Sequence, residues 1–163
     1  MNQNILFREI KPEDNGILAE IIRTNLKAHS LDIPGTVYFD DNLNYLSDFY
    51  LGDREKRYYC IAEDNLGIIG GIGLAEVPFL NDTAELQKLY LTNRAKGKAI
   101  GYDLISFIEN KAKTLGYKRM YLETHTNLSA AIHIYEKWGY RLIDRPKEIV
   151  HSTMNRFYIK DLF

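Results

Sequence analysis

The segment from Glu85 to Leu115 changes its hydrophobic period partway along, and this change constrains the fold more than any other feature of the sequence. The side chains from Ala84 to Leu91 alternate, which is typical of a strand with two chemically different faces. Leu86, Lys88 and Tyr90 fall on one face, and Glu85, Gln87, Leu89 and Leu91 fall on the other. From Ile100 onward the apolar residues follow the helical period, and Gly116 stands where a helix commonly ends. The segment therefore predicts a strand, a loop over 92–99 and an amphipathic helix.

Shorter patterns of the same kind predict six more strands. Apolar or alternating runs place them at Ile5–Ile10, Arg57–Glu63, Ile68–Val77, Arg119–Thr124, Tyr140–Ile143 and Ser152–Ile159. Residues 64–67 have the composition of a hairpin turn, so the strands on either side of them are expected to pair in antiparallel fashion.

Three more helices are predicted by helical spacing and by capping residues. Pro12 with Asp14 opens the first, which should end near His29 and whose apolar positions are Ile17, Leu18, Ile21, Ile22 and Leu26. Asp41 is placed to cap the second, which carries Leu43, Leu46 and Tyr50 on one face. Asn127 or Ser129 is placed to cap the third, which ends at Gly139 and carries Ala131, Ile134, Tyr135 and Trp138. The element order β-α-α-β-β-β-α-β-α-β-β predicts an α/β chain built around a mixed sheet.

Length and composition are those of one globular domain, which we expect to span residues 1–163. The chain has 163 residues, 45% of them hydrophobic and 26% charged, and no Pro/Gly/Ser-rich linker divides it. Lys and Arg total 21 against 22 Asp and Glu, so the formal charge is -1. This balance lacks the basic footprint of a nucleic-acid-binding surface, and we expect no nucleic-acid partner.

Cysteine and histidine usage also excludes several classes of site. Cys60 is the only cysteine, so an intrachain disulfide is impossible, and its place within a strand run predicts a small buried apolar residue. His29, His125, His133 and His151 show no His-x-x-x-His spacing, and no metal site is expected. No apolar run approaches the ~20 residues of a membrane span, and Arg8 and Glu9 precede any run of signal-peptide length. These features predict a soluble, cytoplasmic protein without a membrane partner.

The loop before the 100–115 helix has the composition of a phosphate-binding site. A helix N-terminus presents unpaired backbone N–H groups, and Gly97, Ala99 and Gly101 leave room for an anion to reach them. Lys96 and Lys98 add positive charge, which suits a pyrophosphate. A turn in which the glycines only relieve steric strain remains an alternative. A Walker P-loop is excluded because Ala99, not Ser or Thr, follows Gly97-Lys98.

The run Lys96-Gly97-Lys98-Ala99-Ile100-Gly101 resembles the phosphate motif Gln/Arg-x-x-Gly-x-Gly/Ala of the GNAT superfamily of acyl-CoA-dependent N-acyltransferases. In this register Lys replaces Gln/Arg, and Ala replaces the first Gly. A second register, which begins at Arg94, satisfies the written pattern fully. The first is preferred because Ile100 and Gly101 then begin the helix where family members begin it.

A second segment, Asn127 to Tyr140, resembles the family's Asn…Ala…Tyr-Glu-Lys-x-Gly-Phe/Tyr pattern, with the Asn one residue further from Tyr135 than in many members. The resemblance implies a GNAT-like fold, a mixed, mostly antiparallel sheet flanked by helices, with acetyl-CoA as co-substrate. The pyrophosphate would lie against residues 96–101, and the pantetheine and acyl groups against the backbone of Leu89 and Leu91. Asn127 would add a further contact to the cofactor.

The resemblance also implies two catalytic roles. Tyr135 is the candidate acid, because a phenol stays protonated at neutral pH and can protonate a departing thiolate. Without the motif, Tyr135 would be interpreted as an aromatic core residue. Glu85 is the candidate base, since partial burial brings a carboxyl pKa toward neutrality. An exposed strand glutamate remains the alternative at position 85, and His125 is a weaker candidate base.

The implied function is an N-acetyltransferase that moves an acetyl group from acetyl-CoA to a primary amine by direct transfer in a ternary complex. The acceptor is a small-molecule or peptide amine, and a homodimer is left open. A non-catalytic acyl-CoA-binding or sensor domain is the main alternative, and a nucleotide-binding protein is another. The retained Tyr135 favours the enzyme, because binding alone needs no proton donor.

Four aspartates between residues 30 and 50 are expected to border the acceptor side of the cleft: Asp32, Asp40, Asp41 and Asp48. Their charge favours a cationic amine over an acidic acceptor. A solvated acidic loop is the simpler interpretation of each aspartate taken singly.

Overall fold

The computed structural model describes residues 4–150 and 152–163. Within these residues the chain forms seven strands and four α-helices, in the order that the sequence predicts. Their bounds are β1 Leu6–Glu9, α1 Asn15–Ala28, α2 Leu46–Leu51, β2 Tyr58–Asp64, β3 Gly67–Glu76, β4 Thr83–Leu91, α3 Ile100–Thr114, β5 Arg119–Thr124, α4 Ser129–Lys137, β6 Arg141–Ile143 and β7 Arg156–Asp161.

The strands form one mixed sheet in the order β1-β2-β3-β4-β5-β7-β6. Every neighbouring pair is antiparallel except β4 and β5, which are parallel. A parallel pair needs a crossover connection, and α3 supplies it. The predicted fold, a mixed and mostly antiparallel sheet flanked by helices, is confirmed.

The helices cover both faces of the sheet. Residues of α3 and α4 pack with β2–β5 in one apolar cluster that includes Leu104, Ile108 and Met120. Residues of α1 and α2 pack on the opposite face in a second cluster that includes Leu18 and Tyr50. Both clusters rest on the same sheet, so apolar burial stabilises each layer against a shared central layer.

Three local expectations about helix caps and strand ends are wrong, and one apolar position of α1 is not buried. Ile17 is 53% exposed, because it lies about 100° around the α1 axis from Leu18, outside the buried stripe. Asp41 caps no helix: the chain enters α2 through a 3₁₀ turn at Leu43–Tyr45, where the N–H of Leu43 bonds to the carbonyl of Asp40. Neither Asn127 nor Ser129 caps α4, whose N-cap position is Leu128 without a side-chain bond. The last strand starts at Arg156 rather than Ser152, since residues 152–155 are irregular, with a bend at Thr153.

A β-bulge at Lys88 interrupts the predicted alternation of β4. Gly71 pairs with Tyr90 and Gly73 pairs with Gln87, so two residues of β4 lie opposite one residue of β3. Lys88 takes the left-handed backbone conformation, with φ 51°. Leu86, Leu89 and Leu91 therefore pack in the cluster with α3, while Tyr90 packs in the cluster with α1. The predicted faces are correct up to Gln87 and wrong beyond it.

Candidate active site

A cleft opens where β4 and β5 separate. The two strands pair only at Thr83–Glu85 and Arg119–Tyr121, and β4 then continues to Leu91 without a partner on that edge. The cleft has a volume of about 870 Å³ and is lined by residues of β4, the 95–102 loop and helix start, the first turns of α4, α1 and the 35–40 segment. A cavity of this size accommodates a small-molecule ligand.

The N-terminus of α3 forms one end of the cleft. The chain turns into the helix through two left-handed residues, Gly97 with φ 77° and Ala99 with φ 58°. Lys96, Gly97, Ala99, Ile100 and Gly101 all line the cleft. The first N–H groups of a helix have no intrahelical partner and carry the positive end of its dipole. This end is therefore suited to an anion, as the sequence predicts.

Two basic residues of the loop lie away from the cleft wall. Arg94 forms an ion pair with Asp64 in the β2–β3 turn, at 2.9 Å, and the Asp64 side chain is only 1% exposed. This pair ties the loop to the sheet. Lys98, which was expected to add charge at the pyrophosphate site, is exposed and does not line the cleft. The helix start at Ile100 and the lining position of Lys96 agree with the register that begins at Lys96.

Tyr135 of α4 lines the cleft and is only 5% exposed. Its ring packs edge-on against Tyr140, with 5.9 Å between the ring centroids. Within the described residues the Tyr135 hydroxyl has no hydrogen-bond partner. Its oxygen is not fully enclosed by protein. Burial raises the pKa of Tyr135, so the phenol is protonated at neutral pH. The hydroxyl is thus a proton donor presented to the cleft.

A buried carboxylate holds the helix that carries Tyr135. Glu109 of α3 accepts hydrogen bonds from the Trp138 indole at 3.1 Å and the Tyr140 hydroxyl at 2.9 Å, and it pairs with the Lys160 ammonium at 2.9 Å. These bonds join α3, the end of α4 and β7. They restrict the motion of Tyr135 relative to the helix N-terminus.

Glu85 lies on β4 at the point where the strands begin to separate. The side-chain amide of Gln87 donates to it at 2.8 Å, and the hydroxyl of Tyr50 donates to Gln87 at 2.7 Å. Burial raises the pKa of Glu85 to about 7, with a further contribution from the nearby Glu123 carboxyl. Glu85 is therefore not a fully solvated strand glutamate, and it exchanges protons near neutral pH.

Two lining residues were not singled out by the sequence. Glu123 of β5 accepts a hydrogen bond from the Tyr121 hydroxyl at 3.0 Å, and burial raises its pKa. Its face could be read from the alternation of β5, but its nearness to Glu85 depends on strand register. Lys88 reaches the cleft through the bulge, and burial lowers its pKa. The residues around Lys88 carry no local signal for that bulge.

The cofactor contact expected at Asn127 is not on the cleft wall. Its side-chain amide donates to the backbone carbonyl of His29 at 3.0 Å, and its backbone N–H donates to His125. The N-cap of α4 is Leu128, between the two expected caps, and Leu128 and the residues after it line the cleft instead. His125 is not a lining residue either, which removes the geometric support for it as a base. Leu89 and Leu91 do line the cleft, as expected.

Of the four aspartates expected at the acceptor side, only Asp40 lines the cleft. Asp32, Asp41 and Asp48 lie elsewhere on the surface, since the 30–45 segment folds through 3₁₀ turns and shows most of its side chains to solvent. The acidic character of this end comes instead from Glu85 and Glu123, together with Asp40.

Cys60 is fully buried as expected, and burial raises the pKa of its thiol to about 12. In the part of the chain that the structure describes, which omits His151, no group of three or more His, Cys, Asp or Glu residues could hold a metal ion. None of the helices in that part is long and apolar enough to cross a membrane.

Residues 20–140 match the sequence profile described as the acetyltransferase (GNAT) family, and this range contains the cleft from α1 to Tyr135. The chain belongs to the GNAT family. A relative, the uncharacterized N-acetyltransferase YjgM of Escherichia coli strain K12, is 31% identical over 144 residues, which cover 87% of this chain and 85% of YjgM.

Solved GNAT structures share the fold. An acetyltransferase of Staphylococcus aureus Mu50 superposes with a TM-score of 0.85 at 24% identity, covering 98% of this chain and 100% of that one. A putative acetyltransferase, yncA of Salmonella typhimurium, was solved with its cofactor acetyl-CoA. It gives a TM-score of 0.75 at 17% identity and covers 98% and 95% of the two chains. The GNAT membership identifies the protein as an acyltransferase.

Proposed function

We propose that this GNAT protein transfers an acetyl group from acetyl-CoA to a primary amine, small-molecule or peptide, by direct transfer in a ternary complex. The observation that carries the proposal is the Tyr135 hydroxyl, which faces the cleft with no hydrogen-bond partner among the described residues. The same cleft is lined by the N-terminus of α3, which suits an anion, and by Glu85, whose pKa burial raises to about 7. A general acid for the thiolate and a general base for the amine both promote acyl transfer, and an anion site binds the phosphates of the acyl donor.

The residues of the cleft fit acetyl-CoA at the end formed by α3. Gly97 and Gly101 leave the backbone N–H groups of the helix start accessible, and Lys96 places an ammonium beside them. Beyond Glu85 the edge of β4 has no strand partner, so the backbone around Leu89 and Leu91 can meet the pantetheine amides and the acyl carbonyl, as in strand addition. The Leu91 carbonyl already accepts a hydrogen bond from the Asn25 side-chain amide at 3.1 Å. The Salmonella typhimurium protein of the same fold was solved with acetyl-CoA, which supports the choice of cofactor.

The proposed chemistry has a role for each of two side chains. Glu85 removes a proton from the acceptor ammonium, so that the nitrogen can attack the thioester carbonyl. A C–N bond forms, the C–S bond breaks, and Tyr135 protonates the departing thiolate. The nitrogen loses two protons in all: one leaves through Glu85, and the other replaces the proton that Tyr135 gave up.

The proposal is tested by measuring thiol release from acetyl-CoA with a panel of amines, for the wild type and for Tyr135→Phe. Loss of a positioned acid should lower kcat by about 100- to 10,000-fold, with acetyl-CoA binding unchanged in calorimetry. Tyr117→Phe is the matched control, because the Tyr117 hydroxyl bonds to the Lys56 carbonyl away from the cleft. Binding of acetyl-CoA without acetylation of any amine would favour a non-catalytic acyl-CoA-binding protein instead.

A further inference from the structure

Glu85 and Glu123 lie on one face of the sheet, at the mouth of the opening between β4 and β5. Glu85 pairs with Tyr121 in parallel register, and paired residues point to the same face. Glu123 is two residues beyond Tyr121 and so shares that face. The strands separate immediately after this pair, which leaves the two carboxyls on either side of the cleft.

Each of these carboxyls is supported by a neutral donor and not by a cation. Gln87 donates to Glu85, and Tyr121 donates to Glu123. Among the ion pairs of the described residues, neither carboxyl has a Lys, Arg or His partner. An ionised carboxylate has about four acceptor positions, so both retain unused hydrogen-bonding capacity. Partly buried carboxyls that have free acceptor positions and no cationic partner are suited to bind a cationic ligand.

The charged groups around the pair do not supply that cation. Lys88, on the same strand, acts on both Glu85 and Asp40, so its charge is divided between two carboxyls. Arg145 acts on Glu123 at a distance, but its guanidinium is bonded to two backbone carbonyls in the 149–154 segment. From α2, Tyr50 contributes a neutral hydroxyl. The part of the cleft around Glu85 is therefore lined by three carboxyls, those of Asp40, Glu85 and Glu123, and by one lysine, Lys88.

We propose that Glu123 and Glu85 form a two-carboxyl subsite that takes the acceptor as its ammonium ion, with Glu123 holding the charged amine while Glu85 removes its proton. The inference rests on the proposed function. In the step concerned, an N–H bond of the ammonium breaks and an O–H bond forms on Glu85, with no other reactant. The substrate class is then an alkylamine, which is protonated at neutral pH, rather than a weakly basic aromatic amine.

A second consequence follows from the nearness of the two carboxyls. The charge on Glu123 disfavours ionisation of Glu85 and so raises its pKa. Glu123 thus has two effects, holding the amine and setting the pH at which Glu85 acts as a base. A residue with only a structural role would produce neither effect.

The test is Glu123→Gln, which keeps the shape and the bond from Tyr121 but removes the charge. Loss of a hydrogen bond to a charged group should raise the KM for an alkylamine by about 10- to 100-fold. The affinity for CoA should stay unchanged. The acidic limb of the kcat profile should move to lower pH. Glu20→Gln is the matched control, since Glu20 is exposed on α1 and does not line the cleft.

Two measurements on the free protein separate this inference from the proposed function. Titration of the Glu85 carboxyl by carbon NMR should give a lower pKa in Glu123→Gln than in the wild type. Butylammonium chloride should perturb the resonances of both carboxyls in the wild type and bind more weakly to the variant. If no amine is acetylated, the proposed function is wrong. The Glu85 titration and the butylammonium binding still show whether the two carboxyls form a cation-binding subsite. Unchanged butylammonium binding or an unchanged Glu85 titration in the variant would overturn the inference.

Discussion

At the scale of single residues, environment rather than residue type decides which groups are reactive. Glu85 and Glu20 are the same side chain, but only Glu85 is partly buried beside another carboxyl. Tyr135 and Tyr140 are both buried, but the Tyr140 hydroxyl is bonded to Glu109 while that of Tyr135 has no described partner. Sequence motifs pointed to Tyr135 and Glu85, since each lies in a recognisable segment. Glu123 belongs to no such segment, and only strand register brings it to the cleft.

Glu85→Gln should change both activity and stability, in opposite directions. The variant should lose the acidic limb of the kcat profile near pH 7, where Glu85 ionises. The folded protein holds the Glu85 proton more tightly than the unfolded chain does. Ionisation therefore costs stability as the pH rises from the ordinary carboxyl range, about 4.5, through about 7. Removing the charge should raise the free energy of unfolding above pH 7 by about 1–3 kcal/mol.

Denaturant titrations at several pH values check the stability change, and stopped assays of thiol release check the activity. At pH 4 the two proteins should have nearly the same free energy of unfolding, because the wild-type carboxyl is then protonated. A variant that is less stable than the wild type at pH 8 would contradict the assigned environment of Glu85.

At the scale of elements, hydrophobic periodicity predicted the number, order and type of the strands and helices, because it depends only on neighbouring residues. It could not predict the bulge in β4 or the start of α4. Both depend on contacts with distant parts of the chain: the bulge forms against β3, and Asn127 bonds to His29 across the structure. The predicted set of cleft-lining residues was therefore correct at the N-terminus of α3 and incomplete along β4 and β5.

The bulge requires residue 88 to adopt a left-handed backbone conformation, and this requirement can be tested. Its left-handed conformation is tolerated by Asn but is unfavourable for a β-branched residue. Lys88→Val should lower the free energy of unfolding by about 1–2 kcal/mol relative to Lys88→Asn. Both variants lose the ammonium group, so their comparison isolates the backbone effect. Equal unfolding midpoints in urea would show that the bulge is not maintained by this residue.

The charge of residue 96, beside the N-terminus of α3, should affect the affinity for CoA. Lys96→Glu should weaken CoA binding by about tenfold or more in calorimetry, since a carboxylate would then face the anion site. Lys98→Glu carries the same charge change two residues away, at a position that does not line the cleft. A smaller loss is expected there. Equal losses in the two variants would mean that overall charge, not the position of Lys96, governs binding.

At the scale of the whole molecule, the two apolar clusters share one sheet, and we expect residues 1–163 to unfold as one domain. Strands β2 and β3 contribute side chains to both clusters, so neither layer can be exposed without loss of the other. Differential scanning calorimetry should give one transition whose van't Hoff and calorimetric enthalpies agree. Two resolved transitions would contradict the single-domain prediction.

The whole-molecule fold followed from the element order and the GNAT resemblance, whereas the placement of the last two strands needed the structure. Strand β7 lies inside the sheet, between β5 and β6, although it follows both in the chain. During synthesis the ribosome releases β5 and β6 before their common neighbour exists, so each has an unpaired edge in the nascent chain. Closure of the sheet must wait for residues 156–161. A ribosome that pauses just before them would therefore present an aggregation-prone chain, even though every element that lines the cleft has already been made.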